Sequence, residues 1–134
     1  MQIRGLILFD IDGVIRDVTN SYRLSVQKTV LKFCNWEPST HDIDELKNEG
    51  IWNNDWDLTL ELIQRFINKN KLSLKPPSRD SVIKNFEKLY FGCNPNENYM
   101  KWTGFINNEK LLIDKNFFDF LTLNNIKWGF VSGA

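Results

Sequence analysis

Near the N-terminus lies LILFDIDGVIRD, residues 6–17, in which a short apolar run ends in three carboxylates and a glycine. Continuous apolar runs of this length are typical of strands that are buried on both faces of a parallel sheet. Because side chains alternate along a strand, Asp10 and Asp12 begin on the same face. Two carboxylates this close repel each other, so such a pair persists where it shares a proton or holds a cation. Gly13 allows the chain to turn sharply behind them.

Two motifs carry a resemblance to a known superfamily. Residues 10–17, DIDGVIRD, resemble the first motif of the haloacid dehalogenase-like superfamily, whose phosphatase pattern is D-x-D-G-x-x-x-D after an apolar strand. Residues 128–133, WGFVSG, resemble the second motif, an apolar strand that ends in Ser or Thr. The resemblance implies an α/β fold with a Rossmann-like core, incomplete here with two parallel strands, and a mostly α-helical cap inserted after the first strand.

Two other interpretations of the first motif are weaker. Asp and Gly are common turn residues, so D-x-D-G also occurs at ordinary strand-to-turn junctions. A calcium loop of the EF-hand type needs further oxygen ligands and a closing Glu at fixed spacing between two helices. Here Gly13 is followed by Val14 and Ile15 rather than by alternating oxygen ligands. The motif therefore favours a site for phosphoryl transfer.

The resemblance also implies a mechanism. Asp10 is the expected nucleophile, which attacks a phosphoryl group and forms an aspartyl-phosphate, and Asp12 is the expected general acid and base. Magnesium is the expected cofactor, bound by the Asp10 carboxylate and the Asp12 backbone carbonyl. The Ser132 hydroxyl, with backbone amides near Gly13 and Gly133, is expected to bind the phosphoryl oxygens.

The residue at position 12 selects the type of reaction within this resemblance. Dehalogenases lack an acid there because a halide leaves without a proton, so Asp12 indicates phosphate chemistry, and the expected substrate class is a small phosphorylated metabolite. A phosphatase is the favoured hypothesis, and a phosphomutase with the same paired acids is the alternative. Asp17 matches the last Asp of the motif and is expected to be structural. For Arg16, contact with a phosphate and a plain surface position both stay open.

Composition narrows the class of protein. Of the 134 residues, 42% are hydrophobic and 25% charged, as in soluble globular domains. The 17 basic and 17 acidic residues balance, so no net charge favours nucleic acid or an anionic membrane as a partner. No apolar run is long enough to span a bilayer, and the N-terminus lacks the features of a signal peptide. We therefore expect a cytoplasmic protein, and its oligomeric state stays open.

The order of predicted elements divides the chain into two parts. A strand over residues 3–9 and another over residues 126–131 are separated by several helical patterns. A crossover between parallel strands needs only a short connection, so most of the intervening residues must form a separate body. We expect a partial core from residues 1–17 with 112–134, and a helical cap from residues 18–111. Helix N-caps are predicted at Asn20 or Ser21, Ser39, Asn54 or Asp55, Ser78 or Asp80, and Asp114.

The chain matches only the first half of the superfamily pattern. A lysine motif and a final acidic motif are expected after the second motif, and Lys127 lies on the wrong side of Ser132 to supply the lysine. A core of two strands and one helix needs further support, and both edges of a two-stranded sheet are unpaired. We therefore expect a fragment of a larger protein that is weakly active or inactive. The non-enzymatic alternative is a helical binding module with a vestigial site.

Overall fold

A computed structural model describes residues 2–132, and these residues form an α/β fold with two parallel strands at the ends of the chain. The paired strands are β1 (Gly5–Asp10) and β4 (Ile126–Val131), and the two-residue strands β2 (Arg16–Asp17) and β3 (Lys110–Leu111) lie between them in sequence. The helices are α1 (Leu24–Cys34), α2 (Thr40–Asn48), α3 (Asp55–Lys69), α4 (Arg79–Phe91) and α5 (Lys115–Leu123). This order confirms the predicted fold class.

The chain divides into two compact units, which we call the sheet unit and the helical unit. The sheet unit comprises the chain up to Thr19 and from Glu109 onward, and the helical unit spans Asn20–Asn108. Both boundaries differ from those predicted, which fall after residues 17 and 111. The second boundary differs because β3 pairs with β2 in an antiparallel ladder, which ties β3 to the sheet unit.

The helical unit has a continuous apolar core. Helices α1, α3 and α4 pack against one another, and α2 packs against α3. The buried apolar side chains recur at the spacing of one helical face, as in the series Leu58, Leu62 and Ile63 of α3. The core cluster consists of Val26, Val30, Cys34, Ile43, Leu46, Leu58, Leu62, Ile63, Ile67, Val82, Phe86 and Tyr90. Among residues 2–132, no helix combines the length and the apolar character needed to cross a bilayer.

Side-chain caps begin the later helices. At α2, Ser39 Oγ accepts a hydrogen bond from the Asp42 amide at 3.2 Å, and the Asp42 carboxylate accepts one from the Ser39 amide at 2.6 Å. This reciprocal pair is a capping box, which satisfies amides that have no partner within the helix. The other side-chain caps are Asn54, Ser78 and Asp114. These four observations confirm the predicted start sites of α2 to α5.

The first helix begins later than its predicted cap. A π-helical turn, Thr19–Arg23, precedes α1, and Asn20 within it has non-helical backbone angles (φ −97°, ψ 20°). Ser21 is fully buried, and its carbonyl accepts a hydrogen bond from Ser25 Oγ at 2.8 Å. The prediction of an N-cap at Asn20 or Ser21 is wrong because the chain passes through this wider turn and then continues directly into α1.

One face of the parallel sheet is covered by α5. In the register of the sheet, Phe9 pairs with Phe130, so their side chains share a face. The Phe118 ring of α5 lies on this face, with centroids 5.7 Å from the Phe9 ring, 4.6 Å from the Trp128 ring and 6.0 Å from the Phe130 ring. An aromatic cluster therefore holds α5 on the sheet.

The opposite face of the sheet is open. Leu6 and Leu8 alternate with the residues of the covered face, and their side chains are 66% and 56% exposed. The prediction that β1 is buried on both faces is therefore wrong for the described residues. The physical reason is that one helix covers only one face of a sheet, and α5 lies on the face of Phe9.

This difference between the two faces predicts that truncating an apolar side chain costs less stability on the open face than on the buried side of α5. We expect Leu8→Ala to lower the free energy of unfolding of the sheet unit by less than about 1 kcal/mol, because the side chain is already exposed. Leu121→Ala should cost about 2–4 kcal/mol, since Leu121 is only 3% exposed and its removal leaves a cavity. Hydrogen exchange of the α5 and β4 amides measures both losses. Equal losses in the two variants would contradict the open face.

Candidate active site

The site is built at the carboxyl end of the parallel sheet. Asp10 is the last residue of β1 and pairs in register with Val131, the last residue of β4. Ser132 follows directly, so it lies at the same end of the sheet as Asp10, on a strand about 5 Å away. Both residues are exposed. Crevices at the carboxyl ends of parallel strands are the usual ligand sites of open α/β sheets.

A tight turn after β1 brings Arg16 back beside Asp12. The Ile11 carbonyl accepts hydrogen bonds from the amides of Ile15 at 2.8 Å and of Arg16 at 3.2 Å. Gly13 occupies the left-handed region at φ +78°, which a residue with a side chain adopts only with strain. The motif therefore forms its turn locally, as its glycine predicts.

Arg16 bridges two carboxylates. Its Nε donates to Asp12 Oδ1 at 2.8 Å, and its Nη1 donates to Glu109 Oε2 at 2.8 Å. Glu109 lies 93 residues along the chain from Arg16, just before β3, and its side chain is 9% exposed. Glu109 could not be predicted from the sequence, because no local pattern connects it to the first motif. The spacing of four residues between Asp12 and Arg16 is the only part of this arrangement that the sequence signals.

The remaining acids of the motif have separate partners. Asp10 Oδ1 accepts a hydrogen bond from the Ile11 amide at 2.9 Å. Asp17 Oδ1 accepts one from the Thr19 amide at 2.9 Å. The pKa of Asp17 is lowered below its ordinary value, chiefly by hydrogen bonding to the Thr19 side chain and next by the bond to the Thr19 amide. Asp17 therefore stabilises the turn that leaves the sheet unit.

The structure describes two of the three predicted phosphate ligands, Ser132 and Gly13. Ser132 lies at the same end of the sheet as Asp10. The Gly13 amide donates to the Arg16 carbonyl at 2.8 Å, so this N–H is already used within the turn. Its contact with a phosphoryl oxygen stays a prediction that requires this bond to open. Gly133 lies outside the described residues.

The turn offers oxygen atoms, which are the ligands that magnesium prefers. Magnesium is commonly bound by one or two carboxylates and retains several water molecules, while substrate phosphate completes its coordination. Asp10 supplies an exposed carboxylate, and the Asp12 carboxylate is engaged by Arg16, which leaves the backbone carbonyl of Asp12 as the second protein oxygen. Within residues 2–132, no three side chains of the His, Cys, Asp and Glu types converge as a ready-made metal cage.

A solved structure shows the same architecture. The chain superposes on phosphatase Tt82 from Thermococcus thioreducens with a TM-score of 0.67 and 20% sequence identity, covering 96% of this chain and 62% of that chain. The fold is similar to that of a phosphatase. The parallel strands and the five helices are thus the arrangement of a known hydrolase, and this chain spans less than two thirds of it.

Comparisons of sequence are more limited. No family model matches the chain. A protein of Phytophthora nicotianae named imidazoleglycerol-phosphate dehydratase is 38% identical over 87 residues, which is 64% of this chain and 18% of that protein. The chain therefore spans under one fifth of this relative, and most of that protein has no counterpart here.

A second concavity lies in the helical unit, between α2 and α3. This cleft has a volume of about 770 Å³, and its lining includes Arg65, Glu49 and Lys69. The Arg65 guanidinium bonds to Glu49 and also to Glu61, and it lowers the pKa of Glu49 to about 2. This guanidinium is therefore already neutralised by two carboxylates within the helical unit.

Proposed function

We propose that this chain carries the catalytic turn of a haloacid dehalogenase-like phosphatase, which acts on a small phosphorylated metabolite through an aspartyl-phosphate. One observation carries the proposal: Asp10 and Asp12 lie in a single turn at the carboxyl end of β1, and Ser132 directly follows the parallel neighbouring strand β4. The similarity of the fold to that of a phosphatase supports it. The first motif supplies the paired acids that two-step phosphoryl transfer requires.

The reaction would proceed in two steps. An Asp10 carboxylate oxygen attacks phosphorus and forms an O–P bond while the bond to the leaving oxygen breaks, and Asp12 gives that oxygen its proton. Asp12 then takes a proton from water as the water oxygen attacks the aspartyl-phosphate. The bond between the Asp10 oxygen and phosphorus breaks and inorganic phosphate leaves. Asp10 is then again a carboxylate, and Asp12 again carries its proton. The Ser132 hydroxyl donates a hydrogen bond to a phosphoryl oxygen throughout.

Two further assignments complete the proposal. The Asp10 carboxylate and the Asp12 carbonyl would hold magnesium, whose positive charge, when bound, offsets the repulsion between a carboxylate and a phosphate dianion. The helical unit, inserted between the strands of the sheet unit, would act as the cap that excludes water and selects the substrate.

Phosphate release tests the proposal directly. We expect the chain to release inorganic phosphate weakly from p-nitrophenyl phosphate in the presence of magnesium, and this release to stop when EDTA is added. The substrate panel should include imidazoleglycerol phosphate, because a relative is named for that compound. Rapid quenching in acid followed by mass spectrometry should find a phosphoryl adduct on the peptide that contains Asp10. If neither phosphate nor adduct forms, the proposal that this chain is catalytic is wrong.

A further inference from the structure

Glu109 is the least exposed charged group near the catalytic turn. Its side chain is 9% exposed, and one of its oxygens accepts a hydrogen bond from Arg16 Nη1 at 2.8 Å. A buried carboxylate is costly unless it is paired, so this contact restrains both partners far more than an ion pair at an open surface would. Glu109 therefore holds the Arg16 guanidinium in a defined place.

The same guanidinium also contacts Asp12. The guanidinium of Arg16 is planar and presents its donors in a rigid fork. The hydrogen bond from Nη1 to Glu109 therefore also fixes the direction in which the Nε–H points. Nε meets Asp12 at Oδ1, at 2.8 Å. Among the contacts of the described residues, this one engages only Oδ1, which leaves Oδ2 for the proton that a general acid must carry.

From this geometry we propose that Arg16 and Glu109 are positioning residues for Asp12. Glu109 locks Arg16, and Arg16 holds the Asp12 side chain in one rotamer, with one carboxylate oxygen bonded to the guanidinium and the other left for proton transfer. The orientation of Asp12 is a property of the fold, and only its catalytic consequence rests on the proposed phosphatase function. Glu109, which directly precedes β3, therefore influences the side-chain conformation of Asp12 in the first motif through Arg16.

A measurement of side-chain conformation tests the positioning without any need for activity. Three-bond couplings to the Asp12 Cγ atom report its χ1 rotamer by NMR. We expect a single rotamer in the wild type, and averaging between rotamers in both Arg16→Gln and Glu109→Gln. The control is Lys115→Gln, which breaks an exposed pair with Asp119 of the same four-residue spacing in the same unit and should leave Asp12 unchanged. A single rotamer that persists in both variants would overturn the inference.

The catalytic consequence is tested by comparing two leaving groups. p-Nitrophenolate leaves without a proton, whereas the alkoxide of glycerol 2-phosphate needs one from the general acid. Arg16→Gln and Glu109→Gln should therefore lower kcat at least about tenfold on glycerol 2-phosphate but less than about threefold on p-nitrophenyl phosphate. Arg16→Lys should recover part of the loss, because it restores the charge without the fork.

The outcomes separate the two proposals. Equal losses on both substrates would show that the variants damage the fold rather than the orientation of the acid, and would overturn the inference. A wild type that releases no phosphate would contradict the proposed phosphatase function, while the rotamer of Asp12 would still decide the positioning claim. Amide spectra of β1 and α5 confirm that each variant remains folded.

Discussion

Asp10→Asn is expected to lower kcat for phosphate release at least about a thousandfold, because a carboxamide oxygen cannot form the aspartyl-phosphate. The substitution preserves the local structure, since the Asn side-chain oxygen can still accept the bond that Asp10 Oδ1 receives from the Ile11 amide. The loss therefore reports chemistry rather than folding. Phosphate release with p-nitrophenyl phosphate and the adduct on the Asp10 peptide are the two measurements.

The matched control is Asp119→Asn, the same chemical change in the same unit. Asp119 lies on α5, is exposed and pairs with Lys115. Its substitution should leave phosphate release within about twofold of the wild type, because surface ion pairs contribute little. If Asp10→Asn retained activity comparable to that of Asp119→Asn, Asp10 would not be the nucleophile.

The second large effect concerns stability. Ile63→Ala is expected to lower the free energy of unfolding of the helical unit by about 3–4 kcal/mol. Ile63 is 0% exposed and belongs to the core cluster formed by helices α1 to α4. Its truncation removes buried methyl and methylene groups and leaves a cavity that the surrounding helices fill only in part. Urea unfolding followed by far-ultraviolet circular dichroism measures the change, because most of the helix lies in this unit.

Ile51→Ala is the matched control, because it makes the same change from isoleucine to alanine at an exposed position. Ile51 is 71% exposed, so its truncation should change the free energy of unfolding by less than about 1 kcal/mol. A similar destabilisation in both variants would mean that the apolar cluster of the helical unit does not govern its stability.

The two units differ in how well they are packed. Of the buried apolar side chains in the described part of the chain, the sheet unit contributes only Ile15 and Leu121. The turn that carries Asp10 and Asp12 thus belongs to the unit with the smaller core. Leu6 and Leu8 remain exposed on the open face, and Leu8→Ala is predicted to cost little stability for that reason.

Phosphate release by this chain should be lost at a lower temperature than the far-ultraviolet circular dichroism signal of the helices, because local unfolding begins where few apolar contacts exist.

Features encoded within a few residues were predictable from the sequence. The turn at residues 10–17 forms because the acids, the glycine and Arg16 are close neighbours in the chain, and Gly13 alone permits the left-handed backbone. The capping box of Ser39 and Asp42 is equally local. Helical faces were predictable because burial on one side imposes a period of 3.6 residues, as in Leu58, Leu62 and Ile63.

Other features depend on contacts between distant segments, and only the tertiary structure decided them. An apolar strand looks the same in sequence whether one face or both are covered, so the exposure of Leu8 depends on where α5 packs. The buried Glu109 meets Arg16 across 93 residues, because β2 and β3 pair and bring the two segments together. The sequence by itself determined the turn that carries Asp10 and Asp12, and the tertiary structure determined that Glu109 pairs with Arg16 beside it. The physical reason is that a turn is stabilised by neighbouring residues, whereas an ion pair between distant segments exists only once the fold has formed.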